Sequence, residues 1–84
     1  MRIGSNVLVW CGNGFAWCGT VQERTGPYEY LLANASMICR TGGTPWLELA
    51  NGKGRDRATF QKAHKPVGIG PQIHGWTEWE GDLP

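Results

Sequence analysis

The sequence predicts one small domain of the α+β class that is mainly β, either an antiparallel meander or a partly open small barrel with one short helix. Three observations predict it. The chain has 84 residues, enough for a single domain spanning 1–84. Its 13 glycines and five prolines indicate many turns. Its apolar runs are short and rich in β-branched residues, except for one segment of helical character near the middle.

The first predicted element is a β-hairpin. Val7–Cys11 is an apolar, β-branched strand, and Cys18–Gln22 continues after a turn. Asn13-Gly14 lies between them, and Asn-Gly is the strongest short hairpin signal because both residues accept the positive φ of a type I′ turn. The sequence therefore predicts a tight two-residue connection.

That register predicts how the hairpin packs. Trp10 is placed opposite Trp17 on one face, and Cys11 and Cys18 lie diagonally on the other. Diagonal neighbours are about 7–8 Å apart, whereas a disulfide needs Cα atoms within about 7 Å. Both cysteines are therefore predicted to pack as small apolar side chains.

Further strands are predicted along the chain, with Asn34-Ala35 breaking the run between two of them. Ala58–Ala63 fits either a strand or a helical turn. The other predicted strands are Val21–Arg24, Tyr28–Ala33, Ser36–Arg40, Val67–Gly70 and Gln72–His74.

One short helix is predicted over Trp46–Ala50. Thr44 is the expected N-cap, with Pro45 at the first helical position. Asn51-Gly52 ends the helix because both residues tolerate the left-handed conformation of a helix C-terminus.

Composition points to self-association. A chain this short buries only about 60% of its unfolded surface, so it needs an additional source of stability. Five tryptophans are present, and Trp is enriched at protein interfaces. We expect a homo-oligomer with Trp10 and Trp17 at the subunit interface, although both side chains could instead belong to the core.

Charge and motifs exclude several classes. A net charge of +1 argues against a general polyanion binder, so DNA is not an expected partner. No secretion signal or membrane-spanning run is evident, and the three cysteines do not suggest a disulfide framework, so a cytoplasmic location is expected. No catalytic motif or zinc spacing is present, so no catalytic residue, cofactor or metal is predicted.

Anion binding is the chemistry that the residues favour, with a solvated loop as the alternative. Five of the eight basic residues fall within residues 53–65, and glycines nearby allow close approach of an anion. Trp46 is the preferred surface for stacking a base. The predicted ligand-binding residues are Arg40, Trp46, Lys53, Arg55 and Arg57.

Residues 7–52 resemble a widespread group of short phage proteins of uncharacterised function. The matching stretches are GTVQERTG, ANASMICRTGG and WLELANG. The resemblance implies a phage origin, hence a location in the host cytoplasm, and a β-rich N-terminal half, but no activity. Cys39-Arg40-Thr41 stands where the group has Trp-Tyr-Trp, so anything held there is held differently in this chain.

Together these features predict a phage-type binding protein without catalytic activity, which sequesters a small phosphorylated nucleotide signal of host defence. Two alternatives stay open. One is a small structural or assembly protein, and the other is a module that binds a host protein or nucleic acid.

Overall fold

A computed structural model describes residues 1–84. Every strand pair is antiparallel, which confirms the mainly β α+β class with one short helix. The elements in chain order are β1 (Asn6–Cys11), β2 (Ala16–Gly26), β3 (Glu29–Arg40), α1 (Trp46–Ala50), a 3₁₀ turn (Arg55–Arg57), β4 (Thr59–Lys62), β5 (Val67–Ile69) and β6 (Ile73–Glu78).

The sheet is open but strongly curved. Its order is β4-β3-β2-β1-β6, and β5 also pairs with β3. Only residues 70–72 connect β5 to β6, which lie on opposite sides of β3, β2 and β1. In a flat sheet these strands would be about 19 Å apart, but four Cα steps span at most about 14 Å. The sheet therefore has to curl until its two edges approach each other.

The run from Glu29 to Arg40 is one strand, so the predicted break at Asn34-Ala35 is wrong. Asn34 instead adopts a positive φ of 51° within β3, at a position where the strand bulges. β4 and then β5 pair with the same edge of β3, on either side of this point. The residues that predict a turn thus form a bulge within one continuous strand.

The first hairpin turns over three residues rather than two. Gly14 N–H donates to Cys11 O at 3.1 Å, and Cys11 N–H donates to Phe15 O at 2.8 Å. Gly14 has a φ of 86°, whereas Asn13 is not in the left-handed region. The connection is therefore a turn followed by a left-handed glycine, the usual form of a three-residue hairpin loop, and the type I′ prediction is wrong.

The extra loop residue shifts the register by one. Trp10 pairs with Ala16, and Val9 pairs with Trp17. Because side chains alternate along a strand, Trp10 and Trp17 lie on opposite faces of the sheet, as do Cys11 and Cys18. The predicted pairing of the two tryptophans on one face is therefore wrong.

Both faces of the sheet carry a core. The inner face, enclosed by the curl, holds a cluster formed by Val7, Val9, Val21, Leu32, Ala35 and Ile69. The outer face holds a second cluster, formed by Leu8, Ala16, Cys18, Ile38, Leu49, Ala50 and Trp79. β1 contributes to both clusters, and three consecutive β1 residues are fully buried.

The N-cap of helix α1 lies one residue later than predicted. Pro45 occupies the N-cap position, and no side chain caps the first turn, so the Thr44 prediction is wrong. The Thr44 hydroxyl is buried and has no hydrogen-bond partner. At the other end, Gly52 adopts a φ of 100° and donates to Leu49 O at 3.1 Å, as predicted. Neither helical segment has the length and hydropathy needed to span a membrane.

The C-terminal segment 79–84 crosses the outer face as a strap. Trp79 is only 5% exposed, and its Nε1 donates to Asp82 O at 3.0 Å. Glu80 N–H donates to Ala50 O at 2.9 Å, and Leu83 packs against the outer cluster. The strap thereby joins β6 to α1.

Candidate functional site

A shallow groove of about 260 Å³ opens on the inner side of the sheet. It is lined by Trp17, Met37, Gln61, Lys62 and Ala63. Its volume is close to the lower end of the range for small-molecule sites, about 300–1,000 Å³. The groove combines an indole ring, a flexible thioether and a side-chain amide, so it offers a flat apolar surface beside a group that can both donate and accept hydrogen bonds.

The groove belongs to one row of side chains that crosses five strands. Trp76 pairs with Val9, Val9 with Trp17, Trp17 with Met37, and Met37 with Gln61. Directly opposed residues on antiparallel strands lie on the same face, about 4.5–5.5 Å apart. The sheet register therefore creates an aromatic row from residues that are far apart in sequence.

Exposed apolar side chains extend this surface. Phe15 is 50% exposed and Trp76 is 44% exposed. Phe15 lies two residues before Trp17, so strand alternation places it on the same face. Exposed apolar surface of this kind commonly marks a binding site.

The connection between β3 and β4 forms a compact lobe, and its helix α1 packs in the outer cluster. Its two glycine-rich loops pack together, because Gly42 lies against Arg57 and Gly54 lies against Thr44. Arg40 pairs with Thr59 at the point where the lobe joins the sheet. Arg40 is three residues from Met37, a distance of about 10 Å along an extended strand.

The guanidinium group of Arg55 is bound by other groups of the same chain. Its Nε donates to Leu49 O at 2.9 Å and its Nη2 donates to Ala50 O at 2.8 Å. The guanidinium carbon lies 3.8 Å from the centre of the Trp79 ring. Partial burial lowers the pKa of Arg55. The side chain therefore serves the C-terminal end of α1, where a cation offsets the helix dipole.

The other predicted ligand residues are only partly brought together. Arg40, Lys53 and Arg57 are exposed, and both arginines lie at the sheet end of the lobe. Trp46 is half-buried and packs against the outer cluster, on the opposite side of the sheet from the groove. The structure thus separates Trp46 from the surface that could hold a base.

The two tryptophans of the hairpin have different surroundings. The ring of Trp10 covers Gly75, where even a methyl group would collide with it. Trp17 lines the groove and packs against the inner cluster. They do not form one shared patch.

The thiols of Cys11 and Cys18 are not activated. Burial raises the pKa of Cys18 to about 11, and it also raises the pKa of Cys11. All three cysteines are free, and no group of His, Cys, Asp or Glu side chains is arranged to hold a metal ion.

Sequence reasoning missed Met37 and Gln61 as candidate site residues. Each lies on a different strand from Trp17, and no local motif links them. A correct register for the first hairpin would have placed Trp17 on the inner face, but the pairing of β3 with β4 has no local sequence signal.

No protein-family model, characterised protein or solved structure matches this chain. The likeness to a phage protein group stays a prediction.

Proposed function

We propose that the protein is a non-catalytic binding protein for a small phosphorylated nucleotide. The base would lie on Trp17 in the groove, beside Met37 and Gln61, and the phosphate would reach toward Arg40 and Arg57. The observation that carries the proposal is the groove itself, in which the half-buried Trp17 indole and the Gln61 amide lie on either side of Met37.

The chemistry of a nucleotide suits both parts of this surface. Stacking of a base on an aromatic side chain contributes about 1–3 kcal/mol. The Gln61 amide can donate to and accept from a base edge. Arginine forms paired hydrogen bonds with phosphate oxygens. Lys62 is a weaker candidate, since its Nζ already donates to backbone oxygens of Asn34 at 3.3 Å and Pro84 at 3.5 Å.

In the phage setting that the resemblance implies, the ligand would be a host defence signal. Binding without turnover would lower the free concentration of that signal. Assembly is the second candidate function, and the exposed Phe15 and Trp76 favour it.

The test is calorimetric titration with cyclic, linear and NAD-derived nucleotides, guided by a thermal-shift screen. Ligand at a hundredfold over its dissociation constant adds about 2.7 kcal/mol of stability, or about 10–20 °C in Tm. Trp17→Leu keeps an apolar side chain but removes the ring, so we expect affinity to fall about 5- to 150-fold.

Matched controls separate the site from the rest of the surface. Trp46→Leu alters another half-buried tryptophan away from the groove, and it should leave affinity unchanged. The pair Arg40→Gln/Arg57→Gln should weaken binding, whereas Arg2→Gln/Arg24→Gln should not. Loss of binding in Trp46→Leu with retention in Trp17→Leu would place the ligand elsewhere, and no shift with any nucleotide would exclude the proposal.

A further inference from the structure

One edge of the sheet is open to pairing. β6 pairs only with β1. Trp79 N–H donates to Asn6 O at 2.9 Å, and hydrogen-bonded positions alternate along an antiparallel ladder. By this alternation the backbone groups of Trp76 and Glu78 point away from β1, toward an unoccupied position for another strand.

The opposite edge is protected against such pairing. It is divided between two short strands, β4 and β5, and Lys62, Lys65 and Pro66 lie on or between them. Lysine and proline are common means of preventing pairing at a sheet edge. β6 contains neither residue, and it carries Trp76 with 44% of its surface exposed. The two edges are thus unequal, and β6 is the one able to accept a partner.

We propose that two copies of this chain associate through β6, antiparallel and with Trp76 at the two-fold axis. Pairing of identical edges closes after two subunits, so the product is a dimer and not a filament. The register shift between Trp10 and Cys11 disturbs the start of β6, so the regular pairing runs from Gly75 to Glu78.

The side chains of β6 are complementary in this register. Trp76 meets the partner's Trp76, and His74 at the margin meets the partner's Glu78, an N–H donor opposite a carboxylate. Aromatic pairs across strands are favourable, and an imidazole N–H can donate to a carboxylate. The aromatic row of each subunit would also continue through the axis, because Trp76 and Trp17 both flank Val9.

Sedimentation and light scattering at micromolar concentration test the dimer. The chain should show twice its 9.3 kDa mass. Trp76→Lys sets two like charges opposite each other at the axis, so we expect the mass to fall to that of one chain. Leu47→Lys is the control, since Leu47 is 58% exposed on α1, and this variant should remain dimeric. Circular dichroism should show that both variants keep the native fold.

A charge exchange tests the register. Glu78→Lys alone should weaken the dimer, and His74→Glu/Glu78→Lys should restore it. A monomeric native chain, a Trp76→Lys variant that stays dimeric, or dissociation by Leu47→Lys would each overturn the proposal. A double variant no more dimeric than Glu78→Lys would overturn the Trp76-centred register. None of these outcomes decides nucleotide binding, which the Trp17 variants test separately.

Discussion

Arg55 shows how a single residue can change its expected role once its neighbours are known. It is basic and lies in a glycine-rich loop, which are the features of a phosphate ligand. In the folded chain its donors go to the last carbonyl groups of α1, and its planar face lies over Trp79. Arg57, two residues later, is exposed, so its donors face solvent.

These two arginines should therefore respond differently to substitution. Arg55→Ala removes two charge-assisted hydrogen bonds and a cation–π contact, so we expect the free energy of unfolding to fall by about 2–3 kcal/mol. Arg57→Ala should change it by less than about 0.5 kcal/mol, as is usual for exposed sites. Urea denaturation measures both. Equal stability of the two variants would show that the Arg55 contacts contribute little.

At the scale of elements, the lobe between β3 and β4 depends on contact between its two glycine-rich loops. Gly54 adopts a φ of 69° and lies directly against the side chain of Thr44. Gly43 also has a positive φ, of 87°, but no atom lies near the position of a Cβ there. The two glycines thus share a backbone conformation and differ in their surroundings.

Alanine at these positions separates backbone strain from crowding. Gly43→Ala should cost about 1–2 kcal/mol, the price of the left-handed conformation for a residue with a Cβ. Gly54→Ala should cost about 1–3 kcal/mol more, because the added methyl group collides with Thr44. Thermal unfolding of the two variants gives the comparison. Equal losses would mean that the loops separate easily and that the lobe is not rigid.

For the molecule as a whole, the strap joins parts of the chain that are distant in sequence. Trp79 packs edge-on against Phe60 of β4, with ring centres 6.1 Å apart. The same side chain contacts Arg55, and its backbone bonds to β1. A domain of this size has a total stability of only about 4–13 kcal/mol. One buried ring is therefore a substantial share of it.

Removal of that ring should take away a large share of the free energy of unfolding. Trp79→Ala is expected to cost about 3–5 kcal/mol, while Trp79→Phe should recover part of the loss. Tyr28→Ala serves as the control, because Tyr28 is 72% exposed, and it should have little effect. Urea titration followed by circular dichroism measures all three. A stable Trp79→Ala variant would show that the strap is dispensable.

Much of the fold could be predicted because it depends on local chemistry. The β-branched runs define β1 and β2, and the segment Trp46–Ala50 is helical and ends at Gly52 as expected. Turn residues act over three or four positions, so a short stretch of sequence is enough to predict their effect.

The candidate site could be predicted only in part. Three residues that the sequence predicts as ligands are exposed in or beside the lobe, namely Arg40, Lys53 and Arg57. The groove itself needs the pairing of β2 with β3 and of β3 with β4. The two contacts that form it join Trp17 to Met37 and Met37 to Gln61, which are 20 and 24 positions apart, and no local motif links these residues.

The sequence by itself determined the class of the fold, the position of the first hairpin and the short helix. Only the tertiary structure decided which face each tryptophan occupies, since one more residue in the hairpin loop exchanges the two faces of a strand. It also decided that Arg55 donates to the last carbonyl groups of α1, whereas Trp17 lines a groove. Local preferences act within a few residues, but a surface is made wherever the folded sheet brings distant strands together.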